Sequence, residues 1–177
     1  MTLEEKITKL YKEQDEEKQQ HIYEEIAKDL FNLDSVFIGL SDKKIVDDDS
    51  KRKPGAYILD EDKRVISIFT RIEYAEHWAK KYNREIGIIE RGFIDKFINT
   101  LVIAKLLSVP YVTINEETEV GILVRIDDLL KINNLDANKY LIMSDDNLQE
   151  DGSLKLAFEN VDKLDIEAYK ESKKKLN

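Results

Sequence analysis

Apolar positions along the chain keep two rhythms. In residues 3–31 they recur at helical spacing: Ile7, Leu10 and Tyr11 form a short patch, residues 13–20 are wholly polar, and Ile22, Ile26 and Leu30 then line one face with Tyr23, Ala27 and Phe31 beside them. That stripe predicts two helical pieces, or one long helix docked mainly by its second half. Residues 36–40 are an apolar run of strand length, and residues 42–53 are a charged loop closed by Pro54-Gly55. Residues 56–59 and 64–69 are β-rich runs joined by Asp60-Glu61-Asp62-Lys63, which reads as a hairpin.

The second run ends at Thr70. Glu73 follows at the capping-box spacing, in which the Thr hydroxyl accepts from the N3 backbone N–H and the Glu carboxylate reaches back to the cap. Ala75, Trp78, Ala79 and Tyr82 then repeat at helical intervals, so residues 71–82 are predicted to be a helix N-capped by Thr70. Residues 86–89 are a strand. A broadly apolar helix opens near Gly92, with Phe93, Phe97, Leu101, Ala104 and Lys105 in rhythm and Ile94, Ile98 and Val102 widening the stripe. Such a helix is expected to lie across a sheet, burying Phe97, Leu101 and Ala104. Strands at 110–114 and 121–124 flank a polar turn over 115–119. A short helix at 127–132, a hairpin from strands at 139–143 and 153–158, and a last helix over 165–175 complete the reading. The pattern amounts to one domain over residues 1–177 with an α+β fold: a mixed or antiparallel sheet with helices packed on it.

Composition narrows the function classes. The 177 residues are 42% hydrophobic and 37% charged, with a net charge of −9. Phosphate neutralisation needs the opposite sign, so no nucleic-acid partner is expected. An acidic surface either keeps the chain dispersed or attracts a basic partner. Cysteine is absent, which removes disulfides, thiolate catalysis and thiolate-held metals. Residues 1–6 lack the apolar stretch of a signal peptide, and no run is long enough to span a bilayer. No membrane association is expected, and the location is expected to be cytoplasmic.

The order of elements is familiar at this point. The hairpin into Ile68-Phe69-Thr70-Arg71 with its aromatic-bearing helix, the apolar helix over 97–107, and Val109-Pro110-Tyr111-Val112-Thr113-Ile114-Asn115 resemble the N-terminal domain of the SseB-like (enhanced serine sensitivity) family of bacterial proteins. The resemblance covers about residues 5–132, leaving the hairpin and helix over about 139–175 outside it. Glu116 departs from it, because proline often follows the asparagine in the family. The resemblance implies an α+β fold and a cytosolic role, and brings no catalytic residues with it.

Candidate chemistry is sparse. His21 and His77 are the only histidines, and neither has a serine or carboxylate at a telling spacing. The six glycines make no phosphate loop or dinucleotide fingerprint. Residues 147–152 place oxygen-bearing side chains and glycine as an EF-hand does, but Phe158 stands where a bidentate carboxylate belongs. No metal, cofactor or catalytic residue is therefore expected. Thr70 and Asn115 end strands that would form a crevice if adjacent, or else they simply cap a helix and start a turn. Trp78 and Tyr111, with Phe69 and Phe93, line a groove for a partner or fill the core. Asp127 and Asp128 are read as capping their helix, and otherwise as an acidic partner surface. The expectation is a non-enzymatic protein-binding or regulatory module, its concrete form an immunity-type protein for a basic partner. The alternative is a small-ligand-binding protein or enzyme using a crevice near Thr70 and Asn115.

Overall fold

The computed structural model describes residues 1–42, 51–140 and 161–175. The chain begins with two helices, α1 (Leu3–Lys12) and α2 (Glu16–Leu30), separated in the polar stretch, the first of the two arrangements the pattern allows. Strands β1 (Ser35–Gly39), β3 (Ala56–Ile58), β4 (Arg64–Phe69), β5 (Ile86–Glu90), β6 (Tyr111–Ile114) and β7 (Ile122–Arg125) form a six-stranded mixed sheet. The order is β5-β1-β4-β6-β7, and β3 joins the same side of β4 as β1. β3 pairs residues 64–66 of β4, whereas β1 pairs Ile68 and Phe69, so β1 and β3 lie end to end. Among the described residues only β4 and β6 are paired in parallel, in the register Val65↔Tyr111 through Ile68↔Ile114.

Alternation along the strands feeds two cores. Val36, Ile38, Ile66, Ile68, Val112, Ile114 and Val124 meet α1, α2, α4 (Ile94–Leu106) and α5 (Ile126–Ile132) on one face. Phe37 and Phe69 meet α3 (Ile72–Tyr82) and α7 (Ile166–Lys174) on the other. Phe37 and Tyr169 of α7 pack edge to face at 5.5 Å. Lys170 and Lys80 both bond Glu76 and, burial opposing them, hold its carboxyl below the ordinary range, which ties α7 to α3. A second ladder joins β2 (Lys51–Arg52) to β8 (Val161–Asp162). Helix α6 (Ala137–Tyr140) precedes the undescribed stretch.

The α+β fold matches the pattern of the sequence, and the expected burial of Phe97, Leu101 and Ala104 is observed. Five expectations need correction. Thr70 does not cap α3. The N-cap is Arg71, without a side-chain bond, because the Thr70 hydroxyl is held elsewhere. The same Thr-x-x-Glu spacing does form a capping box at Thr2 and Glu5. Asp127 and Asp128 do not cap α5, whose N-cap is Arg125. Phe93 is neither core nor stripe, since it is 62% exposed on the turn before α4. Lys139 and Tyr140 are helical rather than extended, and Lys51 and Arg52 are a short strand rather than loop. The acidic cluster at 47–49, the strand at 153–158 and the calcium-like spacing at 147–158 lie outside the described residues.

Helix α4 is buried from Phe97 through Ala104 without interruption. Leu101 is fully buried, so Leu101→Ala is expected to cost about 2–5 kcal/mol, lost transfer energy plus the cavity left behind. Denaturant melts check this; a change below about 0.5 kcal/mol would place α4 at the periphery.

Candidate functional site

Parallel pairing brings the C-terminal ends of β4 and β6 together, and with them Thr70 and Asn115. Asn115 is fully buried and left-handed at φ 52°, a conformation asparagine tolerates better than most residues. Its carboxamide closes a ring with Thr70: Oδ1 accepts from the Thr70 N–H at 2.8 Å, and Nδ2 donates to Thr70 Oγ1 at 2.9 Å. Thr70 Oγ1 then donates to Glu4 Oε1 at 2.7 Å, and Arg71 Nε reaches the same oxygen at 3.2 Å. Burial alone pushes the Glu4 carboxyl up, but the Thr70 bond, its own backbone N–H and Arg71 outweigh it and hold the group below its ordinary value. The first helix is thereby tied to the strand ends.

Beside this ring lies a buried acid. Glu116 is 8% exposed, and Ser67 Oγ donates to its Oε1 at 2.5 Å. Burial first, and then the neighbouring Glu117 carboxylate, push the Glu116 carboxyl up to about 8. At neutral pH it is a carboxylic acid, which cannot take the Ser67 proton. Both histidines are exposed, so no serine–base pair forms among the described residues. Glu117, at φ 63°, turns outward and accepts from Lys81 Nζ and Tyr82 Oη, each at 2.5 Å. These bonds, Lys81 before Tyr82, hold its carboxyl below the usual range and clasp the loop after β6 to the end of α3.

A second site sits where β1 stops and β3 begins. A pocket of about 140 Å³ is bordered by Leu40, Tyr57, Trp78, Tyr82 and Arg84. The three rings are 5.6–6.5 Å apart, tilted against one another. They pack too closely to leave a cage for a cation between them. Trp78 packs against Gly39; a Cβ there would stand 2.6 Å from the indole ring. Arg84 is held by Asp42 at 2.8 Å. Trp78 Nε1 and Tyr57 Oη are buried without a hydrogen-bond partner among the described residues. Tyr82, at the pocket, is 41% exposed, and Ile58 and Leu59, next along the hairpin, are 60% and 43% exposed.

The structure therefore joins Thr70 to Asn115 and leaves the other expected residues apart. Trp78 is 5% exposed in the second core and borders the aromatic pocket. Tyr111 is half-buried at the far end of β6 from Asn115. Asp127 pairs with Lys105 at 2.5 Å, and Asp128 accepts from Tyr23 at 3.1 Å under the opposite face. Burial and then Asp128 push the Tyr23 hydroxyl up to about 12. Glu4, Ser67 and Glu116 carry no sequence signal for the strand-end cluster. Tyr57 and Tyr82 do sit at strand and helix positions that face one another once the hairpin is drawn. Among the described residues no group of three or more His, Asp or Glu side chains could hold a metal ion. No helix among them is long and apolar enough to cross a membrane. No family model, curated protein or solved structure matches the chain.

Glu116 generates a pH dependence of definite sign. Its proton stays on in the folded chain up to about pH 8, whereas the ordinary value is 4.5. Between those values the unfolded chain binds fewer protons, so the contribution of this group is whole below about pH 4.5 and is lost as pH rises through about 8. Glu116→Gln keeps an acceptor for Ser67 and removes the ionisation. The melting temperature of the variant is expected to gain on that of the parent steadily across this window. Parallel curves would show that Glu116 is not held neutral.

Proposed function

We propose that the chain is a non-enzymatic protein-binding or regulatory module, its concrete form an immunity-type protein that neutralises a basic partner. The observation that carries this reading is the aromatic pocket of Tyr57, Trp78 and Tyr82 beside β3, a strand whose end leaves Ile58 and Leu59 exposed in an otherwise charged hairpin. Exposed apolar side chains gathered on one short element among charged neighbours are characteristic of interaction sites. The net charge of −9 supports a basic partner, since a complementary field speeds the encounter. The resemblance to SseB-like proteins, and the cytoplasmic location it brings, belong to the same proposal.

The alternative, a ligand or substrate held near Thr70 and Asn115, has weaker support. Those two residues direct their polar groups at each other and at Glu4, and the adjacent acid is already engaged by Ser67.

Capture from the source-cell lysate at low salt tests the proposal. The unaltered chain is expected to recover a protein. Ile58→Glu combined with Leu59→Glu should recover at least about ten-fold less, although it leaves the acidic sign of the surface intact. Association should slow with added salt as the Debye length falls to about 8 Å. Empty captures, together with a metabolite that binds tightly near Thr70, would replace this reading with the ligand alternative.

A further inference from the structure

We infer that the partner docks as an extended strand along the outer edge of β3, seats one bulky apolar side chain in the aromatic pocket, and sets a cation against the carboxylates of the hairpin tip. This inference rests on the binding-module reading above. Strand β3 pairs with β4 on one side, and among the described residues no strand covers the other. Leu59 N–H bonds Lys63 inward at 2.8 Å, and Gly55 N–H bonds Gly39 inward at 2.8 Å. Bonding direction alternates along a strand, so the N–H and C=O groups of Ala56 and Ile58 face outward. Both residues are exposed. Pro54 precedes this edge, and the three residues of β3 themselves carry no proline, bulge or charged side chain. Outward-facing amide pairs at strand spacing call for a polypeptide, not a small molecule. Strand β7 also has an edge left unpaired among the described residues, but the side chain it exposes is Arg125.

The side-chain chemistry follows from register. Tyr57 turns toward Trp78, with ring centroids 6.3 Å apart. A partner residue opposite Tyr57 projects to the same face and meets the pocket of Leu40, Trp78 and Tyr82. About 140 Å³ with aromatic walls admits leucine, methionine or phenylalanine. Beyond the C-terminal end of β3, Asp60, Glu61 and Asp62 are exposed, and no ion pair involves them among the described residues. At roughly 3.3 Å per residue, a lysine or arginine three positions from the apolar residue reaches them.

A phage-displayed library of random twelve-residue peptides is the probe. Selection against the whole chain should enrich peptides with leucine, methionine or phenylalanine three positions from a lysine or arginine. Their binding should alter the emission of Trp78, the single tryptophan. Ile58→Pro removes an outward N–H without removing a β3–β4 bond and should weaken the peptides at least about ten-fold, whereas Ile58→Thr, which keeps the N–H, should stay within about three-fold. Amide exchange of the unaltered chain reads the same contact independently of any variant's folding: the Ile58 amide should become protected when peptide is added. Equal binding by Ile58→Pro, or an unprotected Ile58 amide in the complex, overturns strand addition. Lysate capture that persists in Ile58→Pro would leave the binding module standing without this mode. Neither a captured protein nor an enriched peptide would overturn both.

Discussion

Strand β4 is buried on both faces and bonded along both edges, and the other strands take their places from it. Five of its six residues are buried, and it pairs with β3, β1 and β6. Its parallel partner β6 cannot be reached by a tight turn, since parallel strands need a crossover. The intervening chain supplies α3, β5 and α4, with α3 and α4 on opposite faces of the sheet. The central strand therefore dictates the two-core architecture. It also sets two parallel C-terminal ends side by side, where unpaired backbone groups and buried polar side chains must be satisfied.

The Thr70, Asn115 and Glu4 cluster answers that requirement. Asn115 supplies a donor and an acceptor on one planar group, which suits the pair of groups Thr70 presents. Glu4 brings a charge to the cluster from α1, 66 residues away in sequence from Thr70. Its position there is fixed in turn by the capping box at Thr2 and by Leu3 and Ile7 in the core. A network this fully partnered resists replacement of any single member, because each remaining group would be left buried and unpaired. Stability is the economical account of residues that looked, as a linear pattern, like the rim of a crevice.

What the sequence makes legible is periodicity. The paired helices, the hairpin, the central helix and the strand ending at Asn115 all follow from apolar spacing, and so does the α+β class. What it leaves illegible is competition between partners far apart in the chain. Thr70 and Thr2 stand in the same four-residue pattern, yet only Thr2 caps its helix, because the Thr70 hydroxyl meets a carboxylate from α1 and a carboxamide from β6. Asp127 and Asp128 likewise leave their helix terminus for Lys105 and Tyr23. Glu116 follows Asn115 in a polar turn, and its burial against Ser67 appears only once β4 and β6 are aligned. Phe93 fits the helical rhythm but falls on the turn before the helix, so its ring points to solvent. Lys51 and Arg52 belong to a charged block, and their strand partner is more than 100 residues on, in β8.

The unequal treatment of sheet edges bears on function. At the outer edge of β5, Leu164 N–H bonds Ile86, and Gly87 bridges Lys163. That approach is so close that a Cβ on Gly87 would stand 2.6 Å from Val161. A glycine is placed where a covering segment must come near. No comparable cover lies on β3 among the described residues, and its neighbourhood instead concentrates exposed apolar side chains beside a pocket with two unpartnered polar atoms. Unlike the strand-end cluster, this region has polar capacity unspent and apolar surface unburied, both of which cost free energy in the isolated chain. A partner strand recovers the apolar part of that cost through the pocket and satisfies the open backbone edge in the same step. This makes the β3 margin, rather than the saturated ends of β4 and β6, the place where binding energy remains to be gained.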